Sequence, residues 1–200
     1  MTDKEMKQYV GQLIQKYDYY DPMKDRLEAL RFGNVKNKKI LDIGTGKGYL
    51  AILAAKNFGC DVTSIDISKE KMRVARENAK AENVLDKIFF RISNASHISY
   101  ANDSFDVVIS FNALHHSKKT HKEIIKEMFR LSQDKVVITE LNEVGAKVFD
   151  DYIHPEENHK AMIIELKDLE QEICKYSEVK RHDRKLMTTF VCKKNKGGVK

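Results

Sequence analysis

Asp42-Ile43-Gly44-Thr45-Gly46-Lys47-Gly48 sets one carboxylate and three glycines at every second residue, and this is where the chain can meet a ligand with bare backbone. Glycine has no Cβ and accepts positive φ, so the amide N–H groups of such a turn can lie directly against a bound molecule. Two phosphate-binding patterns do not fit. A G-x-x-x-x-G-K-[ST] loop needs Ser or Thr after its lysine, but Lys47 is followed by Gly48; a G-x-G-x-x-G turn needs glycine at the position held by Tyr49. What stands is Asp-x-Gly-x-Gly-x-Gly. Asp66 follows Gly44 by 22 positions, and a carboxylate placed there, at the end of the next strand, can accept both hydrogen bonds from a ribose diol. The competing role of helix cap can be taken by Ser68.

Titratable residues gather again further on. His115 and His116 follow one apolar run and Glu140 ends another, with His154 and His159 beyond. Imidazole or carboxylate at adjacent strand ends can take a proton from a nucleophile, so His116 and Glu140 are the candidate catalytic residues. His115, His154 and His159 are candidate substrate-pocket residues. The same set would suit Zn, Fe, Co or Mn better than Mg, which prefers oxygen ligands. However, the five-residue spacing of His154 and His159 does not put both rings on one helix face. No metal is therefore expected, and the histidines are read as pocket or surface residues.

The elements that must position these groups follow from periodicity. Residues 38–43 read as a buried strand and 49–58 as the helix after the glycine turn. A β-branched strand at 60–65, a charged helix at 69–81 and a strand at 88–92 come next, then the polar turn Ser93-Asn94-Ala95-Ser96. Residues 103–110 form a turn and strand, 120–131 a helix and 135–139 a strand. The stretch 143–160 is less regular, and Pro155 begins a long helix through Tyr176. Two tightly joined antiparallel strands, 178–185 and 187–194, end the pattern. Repeating βα units closed by a hairpin predict an α/β fold: a Rossmann-like, doubly wound seven-stranded sheet, mostly parallel with a C-terminal antiparallel hairpin. Ahead of it, residues 4–20 carry a weak helical period ending in Tyr17, Tyr19 and Tyr20, and 23–32 form a second helix closed by Gly33. The expected organisation is an N-terminal helical cap (1–34), one catalytic domain (35–194) and a flexible basic tail (195–200).

Taken together, residues 38–194 resemble the class I S-adenosylmethionine-dependent methyltransferases. The resemblance rests on the glycine turn, Asp66, Asn94-Ala95, and Ser104-Phe105-Asp106-Val107-Val108-Ile109-Ser110 followed by Ala113-Leu114-His115-His116, in that order. It implies methyl transfer from S-adenosylmethionine to a small-molecule acceptor by direct displacement at the sulfonium methyl, leaving S-adenosylhomocysteine. It also implies a cofactor site made by Asp42, Gly44, Thr45, Gly46 and Gly48, with Asp66 on the ribose and Ile67 beside the adenine. Asn94 stands where the family usually has Asp, and its carbonyl would accept from the adenine amino group; Ala95 and Asn112 complete the set. A tyrosine before the first strand can meet the methionine carboxylate, and Tyr20 is the candidate. The [DN]-P-P-[FY] motif of nucleic-acid amino methyltransferases is absent, which points away from base amines. Two rivals are a nicotinamide dehydrogenase, which lacks its third glycine here, and a non-enzymatic binding module on the same fold.

Composition narrows the setting. The charge is +6 with a pI near 9.0, yet 36 basic residues face 30 acidic ones along the chain. The concentrated excess is Lys193, Lys194, Lys196 and Lys200, a solvated tail, so a nucleic-acid partner is not expected. No apolar run approaches the ~18–20 residues that cross a bilayer, and the charged first residues lack a signal-peptide pattern. A cytoplasmic location without membrane partners is expected. The three cysteines, widely spaced and without C-x-x-C, read as reduced thiols. Nothing in the pattern sets the oligomeric state.

Overall fold

Period-two burial divides the central strands between two cores: Ile40 and Val107 lie in one, Leu41 and Val108 in the other, because successive strand side chains leave by opposite faces. The computed structural model describes residues 22–153 and 162–194, with backbone alone for Pro22, Tyr152 and Ile153. Its strands are β1 (Lys39–Ile43), β2 (Asp61–Asp66), β3 (Ile88–Ile92), β4 (Phe105–Phe111), β5 (Ser132–Leu141), β6 (Val179–Asp183) and β7 (Met187–Lys193). They form one seven-stranded sheet in the order β3-β2-β1-β4-β5-β7-β6. The first five are parallel, and β7 runs antiparallel to both β5 and β6. This is the doubly wound, mostly parallel sheet that the βα repeats predict.

The helices are α1 (Pro22–Gly33), α2 (Tyr49–Phe58), α3 (Lys69–Ala81), α4 (His121–Leu131), α5 (Glu143–Val148) and α6 (Leu166–Ile173). Leu30, Ala51, Ala54, Met72 and Ala75 bury α1, α2 and α3 in the first core. Ile125, Met128, Leu169 and Ile173 bury α4 and α6 in the second. α1 is also tied to the β6–β7 hairpin. Arg184 pairs with Asp25 at 3.3 Å and with Glu28, and Phe32 stacks on His182 with ring centres 4.1 Å apart. No helix among the described residues is long and apolar enough to cross a membrane.

Three expectations change. β5 runs past 135–139 at both ends because β4 pairs it back at Ser132 and β7 pairs it on to Leu141. The stretch after it is not irregular at first: Asn142 caps α5, its side-chain oxygen accepting from Gly145 N at 2.8 Å, and a π-type turn, Phe149–Ile153, follows. The single helix through Tyr176 is not continuous. Residues 163–165 are non-helical and place Ile164 in the second core, so only α6 carries the period there.

The β3-to-β4 crossover, residues 93–104, contains no helix. Its backbone is held from α4 instead. Arg130 donates to the carbonyls of Ile98 and Tyr100, each at 2.8 Å, while Glu127 accepts from Ile98 N at 3.0 Å and pairs with Arg130.

Candidate functional site

The glycine turn is fixed from behind by β2. Gly44 N and Thr45 N both donate to Ile65 O, at 2.9 and 3.0 Å. Gly44 has φ +87°, and a Cβ there would lie 2.3 Å from the Ala113 Cβ, so only glycine lets β1 and the segment after β4 approach this closely. Gly48 is the N-cap of α2. The turn, the entry of α2 and the segment after β4 enclose a cleft of about 100 Å³ lined by Arg26, Asp42, Gly44, Thr45, Gly46, Lys47, Tyr49, Leu50, Phe111 and Asn112.

Arg26 is the residue the sequence reading missed. Its guanidinium carbon lies 4.6 Å from the Phe111 ring centre and 5.8 Å from that of Tyr49, so the cation is held over two π faces at the cleft mouth. In the same cleft Asp42 is buried and accepts from Ser64 Oγ at 2.6 Å, and that hydroxyl meets Thr45 Oγ1 at 2.7 Å. Asn112 Oδ1 is buried and has no hydrogen-bond partner among the described residues. A cation and buried acceptors lining one cleft match a zwitterionic amino-acid group.

Burial pushes the Asp42 carboxyl from 3.8 up to about 6; Ser64 and Arg26 pull it down and Asp66 adds to the rise. The unfolded chain gives up this proton at the ordinary value, so between about pH 4 and pH 6 the folded state binds it more tightly. Stability attributable to Asp42 is therefore greatest at low pH and falls as pH rises through that window, by up to about 3 kcal/mol. Urea denaturation of wild type and Asp42→Asn at about pH 4.5 and 7.5 tests this. The variant is expected to lose less stability over the interval; identical losses would refute the assignment.

Asp66 stands at the end of β2. Its Oδ2 accepts from Gly46 N at 3.0 Å and its Oδ1 from Ser68 N at 2.9 Å, which braces the glycine turn and leaves each oxygen a further lone pair. Ser68 caps α3 by accepting from Lys71 N, as the sequence reading allowed. Ile67 is exposed beside Asp66, and Ser93 N donates to Asp66 O, which brings the Asn94-Ala95 turn to the same rim. The expected role of the Asn94 carbonyl needs correction. That oxygen accepts from Ser96 N and Ser96 Oγ, at 3.0 and 2.9 Å, within its own turn.

Glu140 also differs from expectation. It is buried, with Oε1 accepting from Ala113 N at 3.0 Å and Leu114 N at 2.7 Å, and Oε2 lying 2.7 Å from His115 Nδ1. A carboxylate so engaged does not face an acceptor as a base. It orders the turn after β4 and fixes the His115 ring, which is likewise buried. His116 is exposed, its ring centre 4.1 Å from that of His115. Among the described residues no three His, Cys, Asp or Glu side chains form a metal-type cluster.

A profile of the methyltransferase domain family matches residues 34–194. The chain belongs to that family. Norajmaline N-methyltransferase of Rauvolfia serpentina is 33% identical over 111 residues, covering 52% of this chain and 38% of that protein. A solved structure of Haemonchus contortus phosphoethanolamine N-methyltransferase 2 with S-adenosyl-L-methionine has a TM-score of 0.69 at 20% identity, over 86% of this chain and 52% of that one. The PH0226 protein of Pyrococcus horikoshii OT3 has a TM-score of 0.70 at 20% identity, over 88% of this chain and 92% of that one. These structural likenesses are likenesses of fold. The chain spans about a third to two-fifths of the length of the curated relatives it matches.

Within this methyltransferase domain, the strand ends bring Asp42, the glycine turn, Asp66, Ile67, Asn94, Ala95 and Asn112 onto one rim. Tyr20, His154 and His159 lie outside the described residues. Arg26 had one signal in the sequence: it stands three and four residues before the buried Ala29 and Leu30, on the inward side of its helix.

Proposed function

We propose that this methyltransferase domain transfers a methyl group from S-adenosylmethionine to a small-molecule acceptor. The carrying observation is the one cleft lined by Arg26, Asp42 and Asn112, whose Gly46 amide is held by the ribose-type acceptor Asp66. Arg26 would take the methionine carboxylate, Asp42 and Asn112 Oδ1 the ammonium group, Asp66 the ribose hydroxyls, and Ile67 one face of the base. When bound, S-adenosylmethionine supplies an electrophilic sulfonium methyl, whose displacement by the acceptor leaves S-adenosylhomocysteine. The chain's own contribution is alignment, which can supply effective molarities of ~10⁵–10⁸ M. His116, exposed at the rim, is the group we assign to any proton that must leave the acceptor. Glu140 and His115 hold the turn that carries it.

An amine nitrogen is the acceptor class favoured by the relatives, two of which are named norajmaline and ajmaline N-methyltransferases. A cytoplasmic setting is supported by the free cysteines, Cys60, Cys174 and Cys192.

Calorimetry with S-adenosylhomocysteine and NAD, then transfer of labelled methyl from S-adenosylmethionine to a panel of amines, tests this reading. Binding of the first alone is expected. Arg26→Met should weaken S-adenosylhomocysteine at least ~10-fold, since hydrogen bonds to charged groups contribute ~1.5–3 kcal/mol. Methylthioadenosine, which has neither carboxylate nor ammonium, should bind both proteins alike. Equal loss for both ligands would show that Arg26 acts on the fold and not on the carboxylate.

A further inference from the structure

α1 brings more charge to the cofactor cleft than Arg26. Asp25 and Glu28 flank it on the same turn of the helix, one cation between two anions. Asp25 suits the first turn of α1, where a carboxylate meets the positive end of the helix dipole. It is buried, however, and Glu28 is half-buried, so water and salt screen both charges poorly. A cofactor carboxylate approaching Arg26 would meet their repulsion as well as the attraction of the guanidinium. Lys24, on the same turn, is exposed, and its charge is largely screened by solvent.

The balancing charge comes from far along the chain. Arg184 Nε lies 3.3 Å from Asp25 Oδ1, and its Nη1 pairs with Glu28 Oε2, so one guanidinium is forked across both carboxylates. The backbone that carries it is fixed. Arg184 N donates to Met187 O at 2.8 Å, closing the β6–β7 turn. Asn142, just past β5, donates from Nδ2 to Arg184 O at 2.9 Å and Lys185 O at 3.2 Å, and from N to Leu186 O at 3.0 Å. The turn is thus clamped to the sheet, and Phe32 stacked on His182 holds α1 against the same hairpin.

We infer that Arg184 is a positioning residue for the amino-acid end of the cofactor: from the β6–β7 turn it neutralises Asp25 and Glu28, so that the field α1 presents to the cleft is that of Arg26. This rests on the reading that Arg26 takes the methionine carboxylate. Arg184 is not among the residues that line the cleft, and it acts through α1. If its work is charge balance, removing the two carboxylates removes the need for the arginine. A packing role alone makes no such prediction.

Calorimetry with S-adenosylhomocysteine and methylthioadenosine separates the two. Arg184→Met is expected to weaken S-adenosylhomocysteine about tenfold and to change methylthioadenosine by less than about twofold. Adding Asp25→Asn and Glu28→Gln to that variant should restore S-adenosylhomocysteine to within about threefold of wild type. The same two amides with Arg184 retained should bind it at least about threefold more tightly than wild type, an advantage that shrinks as salt is raised. Amide oxygens accept from a guanidinium in place of carboxylates, so this last variant decides the matter if melting shows Arg184→Met unfolded. Parallel losses for both ligands in Arg184→Met, no loss for either, no restoration by the two amides, or no tightening when Arg184 is retained would overturn the inference alone. If Arg26→Met binds S-adenosylhomocysteine like wild type, the carboxylate reading fails and this inference fails with it.

Discussion

A Gly46→Val protein is expected to fold and to bind no S-adenosylhomocysteine. Gly46 has φ +53°, and a Cβ added there meets nothing within 4 Å. The fold therefore has room for the side chain, and the cost to it is that of a β-branched residue in the left-handed region, about 1–3 kcal/mol. That open space is part of the cleft shared with Arg26 and Asp42. The valine methyls would fill it, so a loss in affinity of at least ~100-fold is expected, with a melting temperature lowered by a few degrees. Gly44 is the contrast, because its added Cβ would clash with Ala113 at 2.3 Å and disturb the packing itself. Gly46→Val protein that melts cooperatively yet binds S-adenosylhomocysteine within tenfold of wild type (about 1.4 kcal/mol) would remove the cleft from the cofactor site.

Glu140→Ala should be damaging mainly through stability. The substitution strands His115 Nδ1 and the Ala113 and Leu114 amides, all three now satisfied by one buried carboxylate. Each buried group left unpaired costs about 1–3 kcal/mol. A loss near 3–5 kcal/mol, or roughly 6–20 °C in melting temperature, is expected. Glu140→Gln retains one acceptor oxygen for the two amides and should lose less. Were Glu140 a proton acceptor for substrate, Glu140→Gln would instead melt like wild type while methyl transfer collapsed. Melting curves and single-turnover rates of the two variants separate these roles.

The parts of the fold legible in the sequence were those set by local patterning. α3 and β3 have the boundaries read from residues 69–81 and 88–92, since Ser68 caps the helix and alternating burial marks the strand. The glycine turn and Asp66 were legible because backbone geometry demands those residue types at those positions. Arg26 was not: its place in the cleft depends on how α1 docks against the hairpin through Arg184 and His182, far along the chain. Glu140 was found as a residue and misread in role, because a strand-end carboxylate looks the same whether it faces a ligand or three internal donors. The break at 163–165 was hidden because Ile163 and Ile164 continue the apolar spacing of a helix while the second core draws Ile164 inward.

The position of β7 bears on how the chain survives its own synthesis. β7 is made last of the seven strands yet lies inside the sheet, between β5 and β6. Until residues 187–193 emerge from the ribosome, one edge of β5 has no partner, and its centre, Val136, Val137, Ile138 and Thr139, carries no charge between Lys135 and Glu140. β6 emerges earlier but pairs with β7, so it cannot cover that edge. A nascent chain halted before Met187 therefore carries an uncovered apolar strand, the kind of surface on which aggregates nucleate. The finished chain replaces it with an outer strand bearing Lys180, Arg181 and Asp183, charges that discourage further strand addition. Seven residues inside the sheet thus decide whether the nascent chain shows its neighbours an adhesive edge or a charged one.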